Sequence, residues 1–222
     1  RSAPSRLNTA SEFLTATKCE NHGKITLISA NTSASANYGI AGVGCVSSPT
    51  DNADRYSVFN SCVNFGELEI NVPNDFQGIA DISGVCSAYS EQKCDIRMNW
   101  CYNLGSLKWS GNNVYVGGLM GLEDAETSAD EYIHINHSYS VCNYNGSLDG
   151  NYVGSVVGYA KSTTAPITVS NSFGVAINRN LPAFGYLDNA YTNNVKGYAW
   201  EEVYRDLNIS GFFLPSSKFN QS

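Results

Sequence analysis

The chain repeats one short pattern, in which a cysteine, an asparagine, a glycine and an aliphatic residue occupy alternate positions. The pattern reads CENHGKI from Cys19, CVNFGEL from Cys62 and CYNLGSL from Cys101, and it returns with a tyrosine in place of asparagine as CNYNGSL from Cys142. The cysteines are 43, 39 and 41 residues apart. Such a period predicts a repeat protein in which each unit stacks on its neighbours.

A second element alternates with the first. It consists of an apolar residue, two small residues, another apolar residue and usually a closing glycine, in the copies IAGVGC, IADISG, VGGLMG, VGSVVG and a degenerate FGYLDN. Stacking predicts one column of Ile40, Ile79, Val116, Val153 and Phe184. It predicts a second column of Val43, Ile82, Leu119, Val156 and Leu187, and a column of small residues at Ala41, Ala80, Gly117, Gly154 and Gly185.

Both elements have the spacing of strands. Apolar or small residues alternate over four to seven positions between Gly, Asn, Ser and Asp, and a helical repeat would not carry a Gly-Gly pair inside its apolar segment. With 20 Gly, 14 Tyr and only 15% charged residues, the composition also favours short strands and polar turns. The sequence therefore predicts an all-β fold, a parallel β-solenoid.

The residues of the first element receive roles from this fold. The cysteine and the aliphatic residue six positions later line the core, and the glycine supplies a bend between strands. The asparagine is either part of an inward ladder of amides or a turn residue that adopts the left-handed conformation. We expect two short coils per period, which places Cys62 and Cys101 about 9.6 Å apart and beyond the reach of a disulfide.

Charge and hydropathy exclude several classes of partner. The net charge of −7 opposes nucleic acid, and the apolar runs are too short for membrane insertion. The seven cysteines form no CxxC pair, which gives a zinc site no support. Because their number is odd and four of them belong to the repeat, we expect small buried residues rather than a disulfide framework. The chain starts at Arg1 without a signal segment, which we interpret as a processed piece of a longer protein.

The two elements together resemble the GLUG motif repeats of adhesin-like surface proteins from gut Bacteroidetes. The resemblance covers about residues 18 to 190 and is best in VGGLMG, VGSVVG and NWCYNLGSL. It implies a right-handed parallel β-helix on the cell surface or in the extracellular space, without enzymatic activity in the repeat. IADISG carries Asp81 where a glycine is usual, and IAGVGC lacks the closing glycine.

The ends of the array are expected to be capped, because open coil ends would expose unpaired strand edges. We assign residues 1–18 to an N-terminal cap, 19–190 to the solenoid and 191–222 to a C-terminal cap. The last segment has helical spacing through Trp200, Val203, Tyr204 and Leu207.

One acidic cluster directly follows the VGGLMG element. Its spacing matches no defined calcium loop, which favours a solvated loop and predicts no metal site. The cluster consists of Glu123, Asp124, Glu126, Asp130 and Glu131.

The remaining polar residues form no recognisable catalytic set. His134 and His137 are three apart, which on a strand places their rings on opposite faces. Enzymes built on β-helices need converging carboxylates, whereas Glu67, Glu69, Asp81 and Asp95 are spread over different repeats. The sequence predicts a non-catalytic chain without a cofactor. The alternative is a carbohydrate-active β-helix, a polysaccharide lyase or hydrolase, whose acidic residues converge on folding.

Aromatic residues at positions that we expect to face outward are the best indication of binding. A row of rings along a solenoid can stack on sugars or anchor a protein partner, although such rings can also fill grooves between coils. A host glycan or surface protein is therefore the expected partner of this adhesion or spacer module. The candidate residues are Trp100, Tyr102, Trp109, Tyr115, Tyr139 and Tyr152.

Overall fold

A computed structural model describes residues 11–47, 55–89, 95–125, 132–162, 167–188 and 190–203. Within these ranges the regular secondary structure is β-strand apart from one four-residue helix, and every paired strand runs parallel to its partner. The predicted all-β fold, a parallel β-helix, is confirmed. No helix in these ranges is long and apolar enough to cross a membrane.

Each coil contributes up to five short strands. The first coil contains β1 (Ser11–Thr17), β2 (Glu20–Asn21), β3 (Ile25–Ile28), β4 (Asn37–Ala41) and β5 (Gly44–Ser47). The second contains β6 (Arg55–Asn60), β7 (Val63–Asn64), β8 (Leu68–Asn71), β9 (Ile79–Ser83) and β10 (Cys86–Tyr89). The third contains β11 (Asp95–Asn99), β12 (Tyr102–Asn103), β13 (Leu107–Ser110), β14 (Val114–Gly117) and β15 (Met120–Ala125).

The later coils follow the same plan with longer strands at the end. The fourth contains β16 (Tyr132–Asn136), β17 (Tyr139–Cys142), β18 (Tyr144–Asn145), β19 (Tyr152–Gly154) and β20 (Val157–Ser162). The fifth contains β21 (Ile167–Ala176) and β22 (Phe184–Asp188), and then β23 (Ala190–Ala199) and the short helix α1 (Trp200–Val203) follow.

Equivalent strands stack into continuous walls. Sheet A has ten strands and contains the first two strands of each coil together with β21 and β23. Sheet B is β3-β8-β13-β18 and sheet C is β4-β9-β14-β19, whereas the fifth position of the coil is divided between sheet D (β5-β10) and sheet E (β15-β20-β22). The core lies between these walls, where Phe59, Ile70 and Leu107 are fully buried.

One period forms one coil, so the expectation of two coils per period is wrong. Val116 pairs directly with Val153, its equivalent in the next coil, and Val63 pairs in the same way with Tyr102. The strands of a coil are short and are separated by turns, which means that a single circuit uses the whole period. Cys62 and Cys101 therefore lie in neighbouring coils, at the spacing of about 4.8 Å between adjacent strands.

The predicted columns of the second element are correct in the first, third and fourth copies, at Ile40, Val116 and Val153, but shifted in the second and fifth copies. Ile82, and not Ile79, pairs with both Ile40 and Val116. The second copy is therefore ISGVCS from Ile82, because an alternating apolar segment fits the template at two offsets and only pairing decides between them. The column that continues Leu119 then contains Val85 and Val156, whose backbones bond to it.

The end of the array is shifted as well. Val157 pairs with Phe184, and Val156 donates its backbone N–H to Ala183. The fifth copy therefore contributes Ala183 to the column of Val156, where Leu187 was predicted.

The cysteine column is shorter than predicted. Ser138 takes the place of Cys101 in the fourth coil, because its hydroxyl accepts the backbone N–H of Cys101 at 3.0 Å and the following residues Tyr102 and Tyr139 pair. Cys142 lies four residues beyond this position, and Asn103 approaches its sulfur at 3.4 Å. The predicted alignment of the CNYNGSL copy is thus wrong by four residues, because this segment has the spacing of the first element at a different place in the coil.

Of the two alternatives for the asparagine, the inward ladder is correct, because Asn21, Asn64 and Asn103 do not adopt the left-handed conformation. Asn21 donates to the Oδ1 of Asn64 and Asn64 donates to the Oδ1 of Asn103, each at 2.8 Å, which forms an inward ladder. Each Oδ1 also accepts the backbone N–H of the glycine two residues later, as a turn residue does. Asn64 and Asn103 are fully buried.

The predicted caps contain parts of the solenoid itself. Strand β1 pairs with β6, and β23 pairs with β21, so both belong to stacked coils. These strands lack the glycine-bounded pattern of the two motifs, which is why the sequence placed them outside the array. Helix α1 begins at the predicted Trp200, while Tyr204 and Leu207 lie outside the described residues, as do residues 1–10.

Candidate functional site

Sheets C and E meet along a seam in which the two backbones come into contact. A Cβ added at Gly117 would lie 1.7 Å from the carbonyl oxygen of Met120, and one at Gly154 would lie 1.9 Å from that of Val157. A Cβ at Gly158 would lie 2.7 Å from the backbone nitrogen of Val116. At Gly117, Gly154 and Gly158, therefore, only glycine lets the two sheets approach this closely.

Four tyrosines converge at the mouth of this seam, and we call them the tyrosine cluster. Tyr115 and Tyr152 come from sheet C and stack with ring centroids 5.3 Å apart. Tyr159 and Tyr186 come from sheet E and stack at 4.7 Å. The two pairs meet edge to face, with 5.3 Å between Tyr115 and Tyr159 and 5.0 Å between Tyr152 and Tyr159.

The tyrosine cluster is open to solvent on its C-terminal side. Tyr152 is 39% exposed, Tyr186 is 38% exposed and the neighbouring Leu187 is 42% exposed. In the described part of the chain, no group hydrogen-bonds to the hydroxyl of Tyr152 or of Tyr186. The cluster thus presents an apolar surface that also carries free hydroxyl groups, which is the composition of many ligand-contact surfaces.

The opposite end of the seam is polar. Asp81 pairs with Tyr115 across neighbouring coils and is 4% exposed. Its carboxylate accepts hydrogen bonds from the hydroxyls of Ser83, at 3.0 Å, and of Ser87. Burial, followed by the charge of Asp81, raises the pKa of the nearby Cys45 thiol. Asp81 is therefore held inside the seam by its own neighbours, and Cys45 remains a neutral thiol.

The structure brings together two of the predicted aromatic residues and adds two that the sequence did not indicate. Tyr115 and Tyr152 lie in the tyrosine cluster, whereas Tyr159 and Tyr186 were missed. Both follow the glycine of the second element, in VVGYA and AFGYL, so a repeated Gly-Tyr pair was the available signal.

Trp100 and Tyr102 lie elsewhere on the surface. Trp100 is 44% exposed and stacks on His137 at 4.3 Å. Tyr102 is half-buried and its ring lies 4.2 Å from that of Tyr139. Neither residue reaches the tyrosine cluster.

The expectation that Trp109 and Tyr139 face outward is wrong. Trp109 is 3% exposed because it shares the inward face of β13 with Leu107, and its Nε1 donates to the carbonyl of Ser147 at 2.8 Å. Tyr139 is 1% exposed because it lies in a stacked apolar column between Tyr102 and Phe173, and this burial raises its pKa. Neither ring is open to a ligand.

The carboxylates of sheet B are neutralised by lysines. Lys24 lies 2.8 Å from Glu67 and 2.5 Å from Glu69, and Lys108 lies 2.9 Å from Glu69. Hydrogen bonds from Lys24 and then Lys108 lower the pKa of Glu69 from 4.5 to about 2, and Lys24 also lowers the pKa of Glu67. These carboxylates link successive coils as ionised groups.

In the described ranges, no group of three or more His, Cys, Asp or Glu side chains could hold a metal ion. The side chains of Asp95 and of the predicted acidic cluster lie outside the description, although the backbone of β15 passes through Glu123 and Asp124. Comparisons with family models, curated proteins and solved structures gave no match to this chain.

Proposed function

We propose that this β-helix is a non-catalytic module that acts in adhesion or display outside the cell and contacts a host glycan through the tyrosine cluster. The observation that supports the proposal is the convergence of four tyrosine rings from two sheets on one partly exposed surface. The resemblance of the repeats to GLUG motifs supports the location on the cell surface or in the extracellular space.

The chemistry of the tyrosine cluster suits a carbohydrate. Sugar rings have apolar faces that pack against aromatic rings, and their hydroxyls pair with phenolic hydroxyls such as those of Tyr152 and Tyr186. The rigid glycine seam beneath the cluster fixes the rings before a ligand arrives, which reduces the entropy cost of binding. The net charge of −7 favours neutral over acidic glycans.

The state of the described carboxylates supports a non-catalytic role. A glycosidic leaving group needs a proton from a general acid. Glu67 and Glu69 are ionised against lysines, and Asp81 is hydrogen-bonded inside the seam. Among the side chains that the structure describes, these groups are poorly placed to act as that acid.

A glycan array followed by a turnover screen tests the proposal. We expect the intact chain to bind one class of neutral glycan without releasing product. The double change Tyr152→Ala and Tyr186→Ala should reduce binding at least tenfold, because it removes the exposed rings. Tyr38→Ala, in the first coil and away from the cluster, is the matched control and should bind normally.

Two results would overturn the proposal. Product release from any polysaccharide would favour the carbohydrate-active enzyme instead. Unchanged binding by the double variant would remove the tyrosine cluster as the contact surface.

A further inference from the structure

One corner of the solenoid has the same unusual backbone in every coil. The corner residue adopts a positive φ of 46 to 56°, which non-glycine residues seldom do. It follows the first strand in each of the first four coils and lies inside the longer strands β21 and β23. The backbone N–H of each of the first four donates to the coil above, as Ser61 does to Asn99 at 3.0 Å. This corner column consists of Lys18, Ser61, Trp100, His137, Asn171 and Asn194.

The aromatic residues of the corner column stack along the solenoid axis. The rings of Trp100 and His137 are 4.3 Å apart and inclined by only 16°. This separation is close to the distance of about 4.8 Å between neighbouring coils, so the indole plane lies across the axis. His137 covers one face of the indole.

The other face of the indole looks toward a coil without a ring. Ser61 occupies the corner there, and both Ser61 and Lys18 beyond it are exposed. The side chain of Ser61 is too small to fill the space that a ring occupies one coil later. Beside Ser61, at the level of its own coil, the corner column consequently leaves a slot one ring thick on the open face of the Trp100 indole.

The edge of this slot is polar. Asn60 precedes Ser61 and accepts a hydrogen bond from Asn99 on its Oδ1, at 3.2 Å. In the described part of the chain, its Nδ2 and the hydroxyl of Ser61 have no hydrogen-bond partner. A hydrocarbon ring in the slot would cover these groups without pairing them, which is unfavourable.

We infer that this slot is a second binding site, separate from the tyrosine cluster, for one neutral pyranose ring. The apolar face of the sugar stacks on Trp100, and its hydroxyls pair with the Nδ2 of Asn60 and the hydroxyl of Ser61. The net charge of −7 disfavours an anionic ring such as a uronic acid or a nucleotide. This site does not depend on the proposed role of the tyrosine cluster.

Titration of the intact chain with methyl glucoside, methyl galactoside and methyl mannoside tests the inference, with the indole N–H resonances observed by NMR. We expect at least one of these sugars to shift the Trp100 resonance saturably, with a dissociation constant of about 1–10 mM. Trp109 is buried, so its resonance should stay unchanged.

Variants assign the shift to the slot. Ser61→Trp fills the slot while it keeps Trp100, and the same corner backbone already holds a tryptophan one coil later. This variant should lose binding at least tenfold, and Trp100→Ala should abolish it, as measured by the proton signals of the sugar. His137→Phe preserves the stack and should bind normally, as should the tyrosine double variant.

The inference is wrong if none of the three sugars gives a saturable shift. It is also wrong if the sugar still binds after Trp100→Ala, which keeps a Cβ at the same positive φ, adds no backbone strain and so should fold. Loss of binding in the tyrosine double variant alone would instead place the sugar at the tyrosine cluster.

Discussion

The side-chain amide of Asn64 donates a hydrogen bond of 2.8 Å to the side-chain oxygen of Asn103, its equivalent in the next coil. The Oδ1 of Asn64 meanwhile accepts the N–H of Gly66, and its Nδ2 also approaches the carbonyl of Gly66. A single residue therefore closes a turn within its own coil and bonds to the coils on both sides. The asparagine-glycine spacing repeats because this arrangement needs both residues in their places.

Replacement of Asn64 by alanine should destabilise the fold by about 3 kcal/mol, because it leaves buried donors and acceptors of its neighbours unpaired. Asn21→Ala is the matched control at the more exposed first coil and should cost less than about 1 kcal/mol, as surface changes usually do. Urea unfolding followed by circular dichroism measures both. Equal losses in the two variants would contradict the role of the buried ladder.

The glycines of the first element should differ sharply in their tolerance of alanine. A Cβ at Gly105 would lie 1.9 Å from the carbonyl oxygen of Gly66, whereas a Cβ at Gly23 meets only Asn21, at 3.6 Å. Gly105→Ala must displace a neighbouring coil and should lower the midpoint of thermal unfolding by several degrees. Gly23→Ala should leave the midpoint almost unchanged. A comparable drop in both would show that the contact is not limiting.

The ion cluster of sheet B should make stability depend on acid. The pKa of Glu69 is about 2 in the folded chain against an ordinary value of 4.5, so the unfolded chain binds a proton first as the pH falls. The contribution of Glu69 is therefore complete above about pH 4.5 and is lost between that pH and about pH 2. Urea midpoints between pH 6 and pH 2 measure the loss.

A matched variant isolates this carboxylate. Glu69→Gln should flatten the acid dependence in that interval, while Asp149→Asn, at an exposed site in the fourth coil, should leave the dependence unchanged. An identical slope in wild type and Glu69→Gln would assign the acid dependence to other groups.

The thiols should divide into reactive and protected sets. Cys19 is exposed, while Cys62 and Cys101 are fully buried and donate to backbone carbonyls at 3.3 Å, Cys62 to Ala16 and Cys101 to Phe59. Burial also raises the pKa of Cys142 to about 12. Iodoacetamide should therefore label Cys19 in the native chain and reach the buried thiols only after unfolding. Peptide mapping by mass spectrometry distinguishes these outcomes.

The same experiment examines the pairing of Cys62 with Cys101. We expect both as free thiols, although the reason differs from the one that the sequence suggested. One coil per period brings the two residues to neighbouring strands, within reach of a bridge, and the hydrogen bonds to carbonyls favour the reduced form. A mapped Cys62–Cys101 disulfide would contradict this prediction.

The sequence was sufficient to predict the class of fold, because like residues at a fixed period can bury their apolar sides only by stacking. It could not predict register where two alignments fit equally well, as at Ile79 and Ile82, since strand pairing is decided by contacts across the whole wall. The number of coils per period depends on how many turns interrupt a circuit. The turn at Trp100 contains no glycine, so the sequence gives no signal for it.

Only part of the candidate site could be predicted from the sequence, for a related reason. Alternation fixes which residues share a face of one strand, and it would have placed Trp109 with Leu107 in the core. It does not fix which strands of different sheets meet. The encounter of Tyr115 with Tyr159 depends on the seam, where two backbones approach through glycines that are far apart in the motif.

The left-handed backbone of the corner column allows the surface to vary without a change in the fold. Lysine, serine, tryptophan, histidine and asparagine all occupy the same bend without altering the wall behind it. A mutation at this edge changes what the molecule offers to its surroundings and leaves its architecture alone. The corner therefore offers one variable position in each coil, at which a single substitution can change the chemistry of the surface.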